Sequence, residues 1–205
     1  TRTGVWTDTA PMSTFRHALA CVTIGSHIYA IGGWVNGSVA SADCERYDVM
    51  ADHWLMMAPM PTPRRLLGAA ASPEGGAIYV FGGSQEDEKA WYLTTAEQYI
   101  VSEDRWTTLR PLPAAGACSA ATVDEYYVYV FIHGHGVVRY EVATDTYVSM
   151  GKLPLENWYS FDVKSAGKRS IVILGGAQKG KSSRAAFVFD VFEVSWTRLP
   201  DMGAG

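Results

Sequence analysis

Short apolar runs, each closed by glycine, aspartate, asparagine or proline, alternate with polar turns along the whole chain. The run HIYAIGG, residues 27–33, returns as AIYVFGG at 77–83 and as SIVILGG at 170–176. A weaker copy, YVYVFIHG at 127–134, has lost the glycine doublet. The runs are β-branched and aromatic, which predicts strands, and no window carries a helical period. In unit one the predicted strands are 17–23, 27–31, 42–49 and 53–57. Unit two places them at 67–72, 77–81, 95–100 and 105–109, and unit three at 117–123, 126–132, 137–142 and 146–149. In unit four they fall at 159–164, 170–174, 186–191 and 195–198.

A second marker keeps the same beat. Trp6, Trp54, Trp106 and Trp196 each sit in a short run that leads into proline, and Tyr147 fills the missing place. A period of about 50 residues built from four short strands predicts propeller blades. The second strand of a unit, such as 77–81, is apolar on both faces, as a strand covered on both sides must be. The glycine doublet ends it, because glycine tolerates positive φ and close backbone approach. Asp52, Asp104 and Asp145 fall in the hairpin turns between third and fourth strands.

The expected fold is therefore all-β: four four-stranded antiparallel blades at 16–58, 66–110, 116–150 and 158–200. Residues 1–10 supply one spare strand, the outermost strand of a preceding blade. The expectation is an arc of a larger propeller; the alternative is a small ring in which the spare strand joins the edge of the fourth blade.

Composition narrows the functional classes. Forty-eight per cent of residues are hydrophobic, enough for a core, and the formal charge of −4 disfavours nucleic-acid binding. No apolar run is long enough to span a bilayer, and the first residues match neither a signal nor a transit peptide. Cys21, Cys44 and Cys118 show no zinc spacing and read as thiols of a reducing, cytoplasmic compartment. His133 and His135 make two of the ligands a metal needs, so no metal or cofactor is expected. The acidic run Glu86 to Glu88 reads as a solvated loop tip, and Lys179, Lys181 and Arg184 lack phosphate-loop spacing. No nucleophile motif is present.

A glycine doublet followed by aromatics seven residues apart, Tyr47 with Trp54, Tyr99 with Trp106, Tyr140 with Tyr147 and Phe189 with Trp196, resembles the kelch repeat over essentially the whole chain. The third unit departs from it, with Ile132, His133 and Gly134 where the doublet belongs. The resemblance is to intracellular kelch proteins that carry a BTB domain. It implies a protein-binding module whose rim loops hold a peptide or loop of a partner, and a link to cullin-type ubiquitin ligases through domains outside this chain. The alternatives it implies are a kelch-fold enzyme (a metal-dependent oxidase, lyase or sugar isomerase) and an actin-associated scaffold.

In such proteins the rim is formed by the loops after each second strand and before each first strand. Arg16, Arg64 and Arg65 are candidates there, since arginine grips carboxylates bidentately and would suit an acidic peptide. In this reading Arg16 pairs with Arg65 across the repeat. Trp34, Trp158, Asn36, Ser84, Gln85, Asn157 and Gln178 complete the candidate rim.

Overall fold

Four meanders, each a four-stranded antiparallel sheet paired in chain order, account for most of the computed structural model, which describes residues 4–35, 39–85 and 92–203. Blade 1 runs Ala20–Ile24, His27–Ile31, Cys44–Asp48 and His53–Met57. Blade 2 runs Gly68–Ala71, Ala77–Phe81, Ala96–Ile100 and Arg105–Leu109. Blade 3 runs Cys118–Thr122, Tyr127–Ile132, Gly136–Glu141 and Thr146–Ser149. Blade 4 runs Asp162–Ala166, Ser170–Leu174, Ala186–Asp190 and Ser195–Arg198. The second strand of blade 2 is buried at every position. Its counterpart in blade 4, with no further blade packed on it, alternates between buried and accessible residues.

Three apolar cores lie between the four blades: one joins blades 1 and 2, one joins 2 and 3, and one joins 3 and 4. Among the described residues no core joins blade 4 to blade 1. Residues 4–12 form no strand and do not pair with Ser195–Arg198, so the small closed ring is not the arrangement here. The spare outer strand is likewise not formed, because a strand needs a ladder partner and 4–12 has none among the described residues.

The seven-residue aromatic spacing has a simple origin. Tyr47 and Trp54 stand directly opposite one another across a hairpin, as do Tyr99 and Trp106, Tyr140 and Tyr147, and Phe189 and Trp196. Their rings meet at 5.1, 5.2, 5.1 and 4.7 Å. Such cross-strand pairs contribute about 0.2–1 kcal/mol each.

Around the first three pairs a latch ties each blade to the segment before it. The phenol of the tyrosine donates to the turn aspartate: Tyr47 to Asp52 at 2.6 Å, Tyr99 to Asp104 at 2.7 Å and Tyr140 to Asp145 at 2.9 Å. The same carboxylates accept backbone N–H groups of Ala10, Ala58 and Arg110 from the preceding segment. The outer aromatic donates to the carbonyl of that same residue: Trp54 to Ala10, Trp106 to Ala58 and Tyr147 to Arg110. Ala10 is thus held as Ala58 and Arg110 are, and these two each follow the outer strand of a blade. The backbone N–H groups of Ala10 and Ala58, with the tyrosine phenols, hold Asp52 and Asp104 below the usual carboxylate range.

Blade 4 lacks the latch. Phe189 has no hydroxyl, and Val194 occupies the aspartate position at φ 50°, where the three aspartates sit at φ 50, 46 and 52°. Aspartate is tolerated in the left-handed region; a β-branched residue there is strained. Val194→Asn is therefore expected to raise the unfolding free energy by roughly 1 kcal/mol, measured as the denaturant midpoint. An unchanged or lower midpoint would contradict the assigned strain.

Candidate functional site

The first strands of the four blades face a shared central cleft of about 720 Å³ at one end and about 520 Å³ at the other. Alanine, glycine and serine dominate these strands in blades 2 and 3, so the space beside them stays open. The larger end is the rim where sequence reasoning placed the site.

In blades 1 and 2 the rim corner is built on a glycine doublet. The second glycine donates its N–H to the segment leading into the next blade, Gly33 to Arg64 and Gly83 to Gly116, both at 2.9 Å. A Cβ on Gly32 would lie 2.5 Å from the Arg64 carbonyl, and one on Gly83 2.5 Å from that of Arg65. The doublet is required by this approach and by the positive φ of both residues.

The arginines sit inside these corners. Arg64 donates from Nη1 to the carbonyls of Gly82 and Thr95 at 2.9 and 3.0 Å. Its Nη2 stands 2.8 Å from Glu97 Oε1 in an ion pair, and both side chains are buried. Arg16 repeats the arrangement on Gly32, Asp43 and Glu45. The structural counterpart of Arg16 is therefore Arg64, which corrects the pairing with Arg65. Neither Arg16 nor Arg64 presents a guanidinium to a partner, because each is enclosed by carbonyls and a glutamate of its own blade.

One difference between the two corners is chemical. Glu45 Oε2 accepts the backbone N–H of Ser13, whereas Glu97 Oε2 is buried without a hydrogen-bond partner among the described residues. The residue in the place of Ser13 is Pro61, which has no N–H to give.

Blades 3 and 4 solve the corner differently. In blade 3 the arginine place holds Gly116, the doublet is Ile132–His133 and the glutamate place holds Val138. A Cβ on Gly116 would come within 2.6 Å of Ile132. In blade 4 Trp158 stands for the arginine and Phe187 for the glutamate. Trp158 is fully buried, donates from Nε1 to Gly175 at 2.8 Å and packs on Phe187 at 5.5 Å. Its place is the core, which removes it from the candidate contact surface.

Two rim hairpins stand where the sequence predicts loops. Arg16–His17 pairs with Trp34–Val35 and then Val39–Ala40; Trp158–Tyr159 pairs with Ala177–Gln178 and then Lys181–Ser182. The first predicted strand of blades 1 and 4 is thereby split, with Ala18 and Ser160 at φ 54 and 55°. Leu66, at φ 54°, adopts the same conformation just ahead of the first strand of blade 2. Nothing in Ala or Ser announces a left-handed residue, so the pattern of blades 1 and 4 predicts unbroken strands there.

Of the other candidates, Trp34 is buried beneath Arg65, whose guanidinium lies 4.1 Å from the ring centroid. Ser84 is buried and exchanges backbone hydrogen bonds with Arg65. Gln85 is exposed, and Gln178 donates to the Glu156 carbonyl at 3.0 Å. Asn157 lines the cleft. Asn36 and the Glu86 to Glu88 run lie outside the described residues. The remaining lining includes Leu19, Leu66, Tyr92 and Lys164, which belong to no motif, and Tyr159, which by type fits packing between blades but is 39% exposed here. Aligning the units on Arg16, Arg64 and Trp158 brings Leu66 and Tyr159 into view.

His133 lines the same cleft with both ring nitrogens committed. Ser160 donates its N–H to Nδ1 at 3.2 Å, which leaves the proton on Nε2, 3.1 Å from Ser119 Oγ. Ser119 in turn donates to the Phe161 carbonyl at 2.9 Å. The imidazole thus donates to the serine instead of accepting its proton, and it keeps no lone pair for a metal. Burial lowers its pKa to about 4. The folded state therefore binds its proton less readily than the unfolded chain. The resulting stability is full above about pH 6.5 and is lost as pH falls toward about 4. Urea unfolding across that window is expected to show this loss, and His133→Gln is expected to flatten it. An equal slope in the variant would contradict the assignment.

Removing a buried arginine leaves its glutamate charged and unpaired. Arg64→Ala is expected to cost about 3–5 kcal/mol of unfolding free energy, and Arg65→Ala about 1 kcal/mol. Equal costs in denaturant titrations would contradict the separation of the two roles.

Comparison with known proteins agrees with this architecture. The kelch motif matches residues 16–61. The mouse Kelch-like protein 35 is 28% identical over 192 residues, which cover 90% of this chain and 31% of that protein. The human Kelch-like protein 34 is 24% identical and covers 97% of this chain and 31% of its own length. The solved structure of YjhT superposes with a TM-score of 0.74 at 15% identity, covering 97% of this chain and 68% of that one. The repeat and the blades define a kelch-type β-propeller arc. The chain carries a kelch motif, is similar along most of its length to kelch-like proteins, and spans about a third of the length of these two curated relatives.

Proposed function

We propose that this chain forms part of a protein-interaction module whose cleft mouth receives a peptide or loop of a partner protein. The observation that carries this reading is the 720 Å³ cleft, walled by strands and hairpins of four rigid blades and open at the rim. The similarity to kelch-like proteins supports it. Within a whole protein of that type, the module would be the substrate-recognition part of a cullin-type ubiquitin ligase adaptor. The three unpaired cysteines suit a cytoplasmic setting. No described helix is long and apolar enough to cross a membrane.

A binding role is also favoured over catalysis by the Ser119–His133 geometry, in which the imidazole faces the hydroxyl with its proton. An acidic ligand loses its main support, since Arg16 and Arg64 are turned inward.

The test places charge in the cleft of the full-length protein. Leu19→Arg is compared with Thr108→Arg on the exposed outer strand of blade 2 by proximity labelling in cells, with melting temperatures measured in parallel. Loss of a defined set of partners in the first variant alone, at unchanged melting temperature, is the expected result. Identical partner sets in both variants would refute the cleft as the recognition site.

A further inference from the structure

The chemistry of the mouth points to a particular kind of partner segment, and this inference rests on the interaction reading above. Three arginines approach the rim, and all three are engaged within the chain. Arg16 and Arg64 are spent on internal carbonyls and on Glu45 and Glu97. Arg65 lies flat on Trp34 and pairs through its backbone with Ser84. Among the described lining residues the charges are Asp162 and Lys164, which stand 3.7 Å apart and offset one another. His133 is neutral at physiological pH.

What remains accessible is apolar and aromatic. Tyr92, at the rim of blade 2, is 44% exposed, and Tyr159, at the rim of blade 4, is 39% exposed. Leu19 and Leu66 line the wall beside them, and Asn157 and Ser160 supply hydrogen-bonding groups on the blade 4 side. Tyrosines carry much of the energy at peptide interfaces because they offer large area at low entropic cost. A cleft of this volume admits a large side chain with the turn that carries it.

We propose that the mouth takes a short, net-neutral loop of a partner protein, which inserts one large apolar side chain beside Leu19 and Leu66 between Tyr92 and Tyr159. The turn of that loop hydrogen-bonds to Asn157 and Ser160. Affinity then comes from desolvated apolar area, so it changes little with salt, in contrast to a charge-clamped motif.

The test is selection of a displayed library of disulfide-closed random eight-residue loops on the full-length protein, followed by titration of the enriched loops at ~150 mM and ~500 mM salt. The expected loops carry a large apolar residue and no net negative charge. Their affinity changes less than about twofold with salt, falls about tenfold or more in Leu19→Glu and Tyr92→Ala, and is unmoved by Arg65→Ala. Acidic loops that weaken with salt and with Arg65→Ala would overturn the neutral-loop inference and leave the interaction module standing. Loops indifferent to Leu19→Glu and Tyr92→Ala alike would overturn both. Melting temperatures of the variants separate lost contact from lost fold.

Discussion

At each glycine doublet the backbone of one blade passes within hydrogen-bonding distance of the segment that begins the next, and the rim is built around that approach. A side chain on Gly32 or Gly82 would collide with a carbonyl of the segment that leads into the following blade. The approach crowds several carbonyl oxygens into one corner. Blades 1 and 2 satisfy them with a buried arginine, which in turn requires a buried glutamate. Blade 4 uses an indole N–H for one carbonyl and fills the rest with aromatic packing. Blade 3 abandons the doublet, and glycine moves to the opposite side of the contact, at Gly116.

The outer ends of blades 1 to 3 are fixed by a separate device. One aspartate collects a phenol from its own hairpin and a backbone N–H from the preceding segment, while the neighbouring indole or phenol returns a hydrogen bond to the same residue. Inner corner and outer latch together hold neighbouring blades at two points. The rim between them can then carry varied side chains without loss of shape, as expected of a recognition surface on a rigid scaffold. Blade 4 keeps its aromatic pair and its corner but not its latch, so it depends more on the core it shares with blade 3.

The blades were legible in the sequence because their signals are local. Strand runs, the doublet and the aromatic spacing reflect a hairpin register that repeats with the chain. The rim was legible in position but not in role. Arg16, Arg64 and Trp158 look like exposed hot-spot residues by type, and what buries them is distant in sequence: Glu45, Glu97 and Phe187 on third strands. A signal was present, since arginine and glutamate occur together in units one and two and vanish together in unit three. The left-handed corners at Ala18, Leu66 and Ser160 left no trace, because none of these residues favours that conformation.

The claim that the rim arginine is a structural member of its own corner is tested most directly by exchanging the corner of blade 2 for that of blade 4. Unfolding free energies are measured for Arg64→Trp, for Glu97→Phe and for the double variant. Each single change is expected to destabilise strongly, one leaving a buried carboxylate unpaired and the other a buried guanidinium. The double variant is expected to recover at least half of the summed loss, as residues that share one contact should. Strictly additive losses would show that the two side chains do not form a unit, and the arginine would again be a candidate for recognition.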